Sequence, residues 1–275
     1  MSTGMQQTIS PRPFLKWAGG KGKLIQQYIP YFPKSFKSYY EPFLGGGAIF
    51  FYLNPHSAVL TDINPELVNA YRCVRDKVEE LISVLEEHQL RHCKDYYYQV
   101  RQDQCTTNIE KAARLIYLNK TCFNGLYREN SKGEFNVPIG KYKNPKICNP
   151  ALLRSVSVAL QNAQITVRAF EDILEHASNW DDFVYFDPPY YPLSPTSNFT
   201  AYSRYSFSQD DQIRLKYVFA ELAERGVKVM LSNSDCEFIR ELYRDFNISS
   251  ITASRLINSN GTKRGKITEV LITSY

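Results

Sequence analysis

A strand, a glycine turn, a helix and a second strand follow one another early in the chain, and this order constrains the fold more than any other feature. Apolar and β-branched residues predict strands over 38–43 and 58–62, with a helix over 48–53 between them. The glycine triplet at 45–47 supplies a tight turn after the first strand. This succession is typical of a doubly wound parallel sheet of the α/β class.

The middle of the chain interrupts that alternation. Apolar spacing predicts helices over 65–90 and 110–123. A turn at 130–133 between short extended arms predicts a β-hairpin. These features indicate a largely helical insertion rather than a continuation of the sheet.

Strands and helices alternate again in the last part of the chain, where residues 183–187 form a strongly apolar strand. We therefore predict two domains. Residues 1–65 and 158–275 form the doubly wound domain, and residues 66–157 form the inserted subdomain.

The composition is that of an ordinary globular protein with a mild positive charge. Lysine and arginine number 33 against 28 aspartates and glutamates, so the 275 residues carry a formal net charge of +5. This excess permits a polyanionic partner without requiring one. No apolar run reaches the roughly 18 residues of a membrane span. The six cysteines form no CxxC pair, so we expect free thiols in a reducing compartment and no bound metal.

The motif Asp187-Pro188-Pro189-Tyr190 stands at the carboxyl end of the apolar strand. In open α/β sheets, ligands bind just outside those strand ends. The carboxylate of Asp187 and the carbonyl of Pro188 supply two acceptors for the two hydrogens of an amino group on a base. Tyr190 supplies a flat surface on which the base stacks, worth about 1–3 kcal/mol. We therefore predict a site that activates an exocyclic amine and stabilises the positive charge that develops on its nitrogen.

The glycine turn and the strand after it predict a second site. Glycines let a backbone approach a ligand closely, and an acidic residue at the next strand end binds ribose hydroxyls. Gly45 and Gly47 precede Asp62 in this way, but Phe50 stands where a dinucleotide motif has its third glycine. This pattern favours a nucleoside cofactor without a pyrophosphate. The residue after Lys21 is neither Ser nor Thr, so a nucleotide-hydrolysing phosphate loop is not expected.

Seven motifs in this chain resemble, in the same order, those of the Dam family of DNA adenine-N6 methyltransferases, the D12 class. They cover nearly the whole sequence, and seven in order are far more specific than any one alone. The motifs lie at 15–21, 41–47, 62–64, 124–126, 133–138, 187–190 and 198–202. The resemblance implies an S-adenosylmethionine-dependent methyltransferase (Rossmann-like) fold, with residues 66–157 as a target-recognition subdomain that binds DNA.

The resemblance also implies which residues bind each ligand. Together with the glycine turn, the residues expected to bind S-adenosylmethionine are Trp17, Lys21, Phe43, Gly45, Gly47, Asp62, Phe170 and Asp187. The residues expected to contact DNA are Lys16, Phe123, Asn124, Leu126, Arg128, Pro138, Tyr142 and Asn198. Tyr142 matches an aromatic residue that intercalates into the space left by a flipped base. The family often has Tyr where this chain has Phe123, which removes a hydroxyl but keeps a stacking surface.

The implied activity is site-specific methylation of N6 of a flipped-out adenine in double-stranded DNA, within GATC. The implied protein is a monomer in the cytoplasm of a bacterium or phage host, associated with the nucleoid. The residues alone leave other readings open: methylation of cytosine N4 or of adenine in RNA, or a catalytically silent DNA-binding module.

Overall fold

The computed structural model describes residues 9–130, 132–193, 207–254 and 266–275. Within them the strands follow the predicted order, and the segment 58–62 has the predicted bounds. The strands are β1 (Ser38–Glu41), β2 (Ala58–Asp62), β3 (Ala163–Val167), β4 (Asp182–Phe186), β5 (Lys228–Ser234), β6 (Asn247–Ser254) and β7 (Lys266–Thr273).

The helices include the predicted one at 48–53, with the same bounds. The α-helices are α1 (Ile25–Tyr28), α2 (Ala48–Leu53), α3 (Pro65–Asp76), α4 (Val78–Arg91), α5 (Lys94–Gln102), α6 (Asn108–Thr121), α7 (Pro150–Leu160), α8 (Gln209–Glu224) and α9 (Glu237–Leu242). Short 3-10 turns at Lys21–Lys23, Ile29–Tyr31, Phe123–Gly125 and Phe170–Glu175 complete the described secondary structure.

The sheet has seven strands in the order β3-β2-β1-β4-β5-β7-β6, which confirms the predicted α/β class. Strands β2, β1, β4 and β5 are mutually parallel, while β7 runs antiparallel to both β5 and β6. The chain crosses from β1 to β2 on one side and returns to β4 on the other, so the strand order reverses between β1 and β4. Ligands of such sheets bind at this reversal, at the carboxyl ends of the strands.

The chain divides into two compact units by the density of its contacts. The first consists of residues 1–20, 45–54 and 64–167, and the second of residues 21–44, 55–63 and 168–275. The sequence assigned residues 66–157 to DNA binding and residues 1–65 and 158–275 to the catalytic domain. That assignment of functions stays a prediction.

The second unit is built around strand β4, whose side chains alternate between the two faces of the sheet. Val184 and Phe186 pack in a cluster that includes Leu215 and Phe219 of α8. Each fully buried side chain of this size contributes about 1.5–3 kcal/mol to folding. A capping box, in which Ser208 and Asp211 bond each other's backbone, begins α8.

The segment 66–157, which lies within the first unit, is mainly helical, as expected for the insertion, but its helices differ from the prediction in two details. The helix expected over 65–90 is two helices, because Lys77 adopts a non-helical backbone (φ −140°, ψ 41°) between α3 and α4. Helix α5 was not predicted. The expected hairpin is present as antiparallel bridges between Glu129 and Phe135 and between Cys122 and Ile139.

All six cysteines are free thiols. Across the part of the chain that the structure describes, no helix is long and apolar enough to cross a membrane, and no group of three or more His, Cys, Asp or Glu side chains is arranged to hold a metal ion.

Candidate active site and nucleic-acid interface

Asp187 follows β4 directly and receives two donors on one carboxylate oxygen. The ammonium of Lys21 lies 2.7 Å from Oδ1, and the hydroxyl of Ser232 donates to the same oxygen over 2.9 Å. The Lys21 side chain is 3% exposed and that of Asp187 is 20% exposed. Among the described residues, both contacts fall on Oδ1, so Oδ2 is the oxygen that remains to accept a hydrogen bond from a ligand.

Ser232 is itself held by a buried tyrosine of the neighbouring strand. The hydroxyls of Tyr185 and Ser232 lie 2.9 Å apart. Burial, followed by the charge of Asp187, raises the pKa of Tyr185 far above its ordinary value, so the phenol stays protonated. Because Ser232 uses its own hydrogen on Asp187, Tyr185 is the donor in this pair. A chain of hydrogen bonds from β4 through β5 thus orients the carboxylate.

The two prolines lead to Tyr190, whose hydroxyl and ring are both in contact with charged side chains. Its hydroxyl donates to Oε2 of Glu269 over 2.7 Å, and the ammonium of Lys21 lies 4.7 Å from the centre of its ring. Burial raises the pKa of Glu269, with a smaller opposing effect from Lys21. Burial and then the charge of Asp187 raise the pKa of Tyr190 well above its usual range.

The backbone after Asp187 is also held by buried side chains. The amide of Gln212 donates to the carbonyl oxygen of Pro189 over 2.9 Å, and the amide of Asn233 donates to Gln212 over 2.9 Å. The carbonyl of Pro188 receives no such donor from the described residues, so its oxygen is the second free acceptor next to Asp187.

Three more residues expected to bind the cofactor lie in the second unit. Phe43 follows the glutamate that ends β1, and its ring stacks on that of Phe170 with centres 5.5 Å apart and planes 24° apart. Phe170 is 7% exposed, while Phe43 is half-buried. Asp62 ends β2 and is half-buried, and its backbone carbonyl accepts a hydrogen bond from Arg168. The structure therefore brings Phe43 and Phe170 together and places Asp62 at a strand end, as predicted.

The glycine turn belongs to the first unit, where it packs against Trp17. Gly45 has a positive φ of 46°, and a Cβ there would lie 2.9 Å from Cδ1 of Trp17. Gly47, with φ 64°, occupies the N-cap of α2. Both positions need glycine, since an L side chain is strained at such angles and at Gly45 would also collide with the indole.

Lys16 is tied by its backbone to the turn that follows α6. Its N–H donates to Asn119 Oδ1 over 2.8 Å, and the Asn119 amide donates to the carbonyls of Lys16 and Gly125, over 2.7 and 3.1 Å. The Lys16 ammonium donates to the hydroxyl of Tyr142 over 3.1 Å and lies 4.3 Å from its ring centre. The structure thus brings Lys16 and Tyr142 together from positions far apart in the chain.

The other residues expected to contact DNA lie at the surface of the same unit. Phe123 is 47% exposed and its backbone N–H donates to the carbonyl of Pro138 over 2.9 Å. Asn124 has a left-handed backbone with φ 56°. The guanidinium of Arg128 is exposed and uses its Nε to donate to Asn136 over 2.7 Å. Exposed apolar side chains at the same surface include Leu126 (37%) and Tyr142 (38%). Asn198 lies outside the described residues.

Comparison with known proteins identifies the family. The model of the D12 class N6 adenine-specific DNA methyltransferases matches residues 17–257. The chain belongs to this family.

Three relatives match this D12-class methyltransferase over almost their entire lengths. The Type II methyltransferase M1.LlaDCHI of Lactococcus lactis subsp. cremoris is 45% identical, with 100% of this chain and 99% of the relative covered. The Type II methyltransferase M.MjaIII of Methanocaldococcus jannaschii is 44% identical, covering 96% and 99%. The DNA adenine methylase of Escherichia coli strain K12 is 36% identical, covering 94% of each chain.

Sequence reasoning missed several residues that surround Asp187 in this methyltransferase. Ser232 and Asn233 lie near the carboxyl end of β5, so their position after an apolar strand was a usable signal. Glu269 lies inside β7 and carries no local signal, because only strand pairing brings it to Tyr190.

A missed cation lies in the first unit. Lys120 is half-buried near the end of α6 and has no carboxylate partner in the described part of the chain. Burial, and then the charges of Lys16 and Arg12, lower the pKa of Lys120 to about 8. Lys16, Lys120 and Arg12 have no acidic partner among the residues that the structure describes, and such a group of cations favours an anionic ligand at this surface.

Proposed function

We propose that this methyltransferase transfers a methyl group from S-adenosylmethionine to N6 of an adenine that is flipped out of double-stranded DNA, within the sequence GATC. The observation that carries this proposal is the arrangement at Asp187. Its Oδ1 is occupied by Lys21 and Ser232, while Oδ2 and the Pro188 carbonyl, which receive no donor from the described residues, remain as two acceptors at the end of one buried strand. Two adjacent acceptors match the two hydrogens of an exocyclic amine.

The residues of the second unit fit S-adenosylmethionine. That cofactor supplies an electrophilic methyl group on a positively charged sulfonium. The stacked ring of Phe43 offers a surface to an adenine ring, and Asp62 offers a carboxylate to ribose hydroxyls at a strand end. Asp187 supplies negative charge at the end of β4, the strand that pairs with β1.

Asp187 has two tasks in the reaction. Its Oδ2 accepts one amine hydrogen, which draws the nitrogen lone pair away from the ring and toward a tetrahedral geometry. Its charge then stabilises the positive nitrogen, and its oxygen is placed to take the proton that N6 loses. Lys21 and Ser232 hold the carboxylate in position while this happens, so no reorganisation is required in the transition state.

DNA recognition is assigned to the exposed surface of the first unit. The two Nη groups of Arg128 have no partner among the described residues and suit the paired acceptors of a guanine, a contact worth about 1–3 kcal/mol of discrimination. Phe123 and Tyr142 present aromatic surfaces for stacking. Lys120 and Arg12 are suited to phosphates. The GATC assignment is supported by the match of Asn124, Leu126, Arg128 and Pro138 to the family motifs.

Flipping is part of the proposal because N6 of a paired adenine is hydrogen-bonded and blocked. Extrusion costs a few kcal/mol, which stacking on Tyr190 and hydrogen bonds to Asp187 and Pro188 offset. A duplex carrying 2-aminopurine at the target position should become strongly fluorescent on binding, and an unchanged signal would contradict flipping.

The test of the chemistry compares the wild-type protein with Asp187→Ala on plasmid DNA and tritiated S-adenosylmethionine. We expect at least a hundredfold loss of transfer, and near-normal turnover would refute the role of Asp187. Nucleoside analysis of the wild-type product distinguishes N6-methyladenine from N4-methylcytosine. A parallel RNA substrate tests whether the enzyme methylates adenine in RNA instead. Sequencing of the modified plasmid shows whether GATC is the site. Absence of both transfer and cofactor binding in calorimetry would instead indicate a silent DNA-binding module.

A further inference from the structure

Tyr127 lies immediately before Arg128 and joins two acidic side chains. Its hydroxyl lies 2.8 Å from Oε2 of Glu66, in the first turn of α3, and 2.5 Å from Oε1 of Glu129. Burial, followed by the charge of Glu66, raises the pKa of Tyr127, so the phenol stays protonated and shares its single hydrogen between the two carboxyl groups. Glu129 is buried, at 7% exposed.

The ring of Tyr127 is held as firmly as its hydroxyl. Trp17 stacks on it with ring centres 5.5 Å apart and planes 28° apart. Phe135, from the opposite arm of the hairpin, meets it edge-on at 6.0 Å. An aromatic side chain that is stacked, contacted at its edge and hydrogen-bonded at its tip keeps little rotational freedom.

Arg128 points away from this cluster. In extended backbone, successive side chains lie on opposite faces. Tyr127 and Glu129 face inward together, since they bond each other, and Arg128 is exposed between them. The carbonyl of Arg128 accepts a hydrogen bond from the Asn136 N–H over 3.1 Å, and its Nε donates to the Asn136 side chain.

We propose that Tyr127 is a positioning residue for Arg128. Its hydroxyl links Glu129, on the other side of the arginine, to Glu66 of α3, and this fixed backbone sets how sharply Arg128 discriminates its base. The proposal rests on the proposed function, in which Arg128 contacts a base. A bidentate contact requires both Nη groups to arrive in the plane of the base edge. A loosely held arginine would satisfy several bases at a similar cost, and would lose more conformational entropy on binding the correct one.

The experiment uses the full-length protein, tritiated S-adenosylmethionine and a set of duplexes in which each pair of GATC is replaced in turn. The ratio of kcat/KM for the GATC duplex to that for each altered duplex measures discrimination. Arg128→Ala identifies the position that Arg128 reads, as the one where this ratio collapses. Tyr127→Phe keeps the stack on Trp17 and removes only the hydroxyl. We expect it to lower the ratio about tenfold at that position, leave the other positions unchanged and leave KM for the cofactor unchanged.

Tyr98→Phe is the matched control, because Tyr98 lies in the same unit and its hydroxyl has no hydrogen-bond partner among the described residues. It should keep wild-type ratios at every position. Glu66→Ala, which removes the acceptor on α3 and leaves the tyrosine in place, should lower the ratio at the same position, and it serves if Tyr127→Phe fails to fold.

The outcomes separate the inference from the function on which it rests. If Arg128→Ala lowers no ratio, the assignment of Arg128 to a base is wrong. If Arg128→Ala lowers one ratio while Tyr127→Phe and Glu66→Ala leave it at the wild-type value, Tyr127 does not position Arg128. An equal loss on all duplexes in Tyr127→Phe shows a general structural role and also overturns the proposal.

Discussion

Ser232 donates a hydrogen bond over 2.9 Å to Oδ1 of Asp187, although the two residues are 45 positions apart in the chain. They meet because β4 and β5 are parallel neighbours in which Phe186 pairs with Leu231, so the next residues of the two segments, Asp187 and Ser232, lie side by side. The same oxygen pairs with Lys21 at 2.7 Å. Both contacts therefore fall on one carboxylate oxygen of Asp187, and under the proposed function the other oxygen accepts a hydrogen from the substrate amine.

Ser232→Ala should therefore lower kcat about tenfold while KM for DNA and cofactor changes little, because a small misplacement of a reacting group is costly. The variant should also lose about 1–3 kcal/mol of stability, since the buried Tyr185 hydroxyl loses its partner. Steady-state kinetics and urea unfolding measure the two effects.

A double variant tells these effects apart. Adding Tyr185→Phe to Ser232→Ala removes the orphaned hydroxyl, so stability should return toward the wild-type value. The rate should stay low, because Asp187 still lacks its donor. Recovery of both stability and rate would show that Ser232 acts only on folding.

Glu269→Gln should stabilise the protein above the ordinary carboxyl pKa and not below it. Burial raises the folded-state pKa of Glu269 above 4.5, so the folded protein binds more protons than the unfolded chain between 4.5 and the raised value. Wild-type stability consequently falls as pH rises through that window. The glutamine has no charge to bury and still accepts a hydrogen bond from Tyr190. Urea unfolding from pH 4 to pH 8 should show an advantage that appears above pH 4.5 and then levels off; an advantage independent of pH would contradict this origin.

Lys120→Met should make the folded protein more stable near neutral pH, where the half-buried lysine is charged in the unfolded chain and costly to bury, and should have less effect at alkaline pH. The folded pKa of about 8 lies below the ordinary 10.5, so the folded protein binds fewer protons than the unfolded chain between these values. Stability from this group therefore rises with pH across that window, by about 1–3 kcal/mol after allowance for partial exposure. Unfolding of the two proteins at pH 7.5 and pH 10 should show the variant more stable at the lower pH, with the difference shrinking at the higher one. An equal difference at both would count against the cation cluster.

Gly125→Ala should weaken DNA binding, whereas Gly226→Ala should not. Both glycines have positive φ, 65° and 79°, so each alanine carries backbone strain of about 1–2 kcal/mol. A Cβ at Gly125 would lie 2.5 Å from Cδ of Lys16, but one at Gly226 meets nothing within 4 Å. The first variant displaces Lys16 and should lower affinity for a GATC duplex several-fold; equal affinity in the two variants would show that Lys16 is not constrained by the turn.

The sequence predicted the parts of this protein that depend on neighbouring residues. The bounds of β2 and α2 were correct, because alternation and a glycine turn are local signals. The motif at Asp187 was placed at a strand end for the same reason. The break at Lys77 was missed, since the apolar stripe continues through it from α3 to α4.

Only the tertiary structure decided which groups surround the motif residues. Ser232 and Glu269 reach Asp187 and Tyr190 through the pairing of β4, β5 and β7, and Lys16 meets Tyr142 across 126 positions of chain. The sequence alone determined the fold class, the order of most elements and the residue types available for chemistry, because local patterns of side chains encode them. Which carboxylate oxygen is free, and which tyrosine holds which acid, depended on contacts between segments far apart in the chain, and no local pattern specifies those.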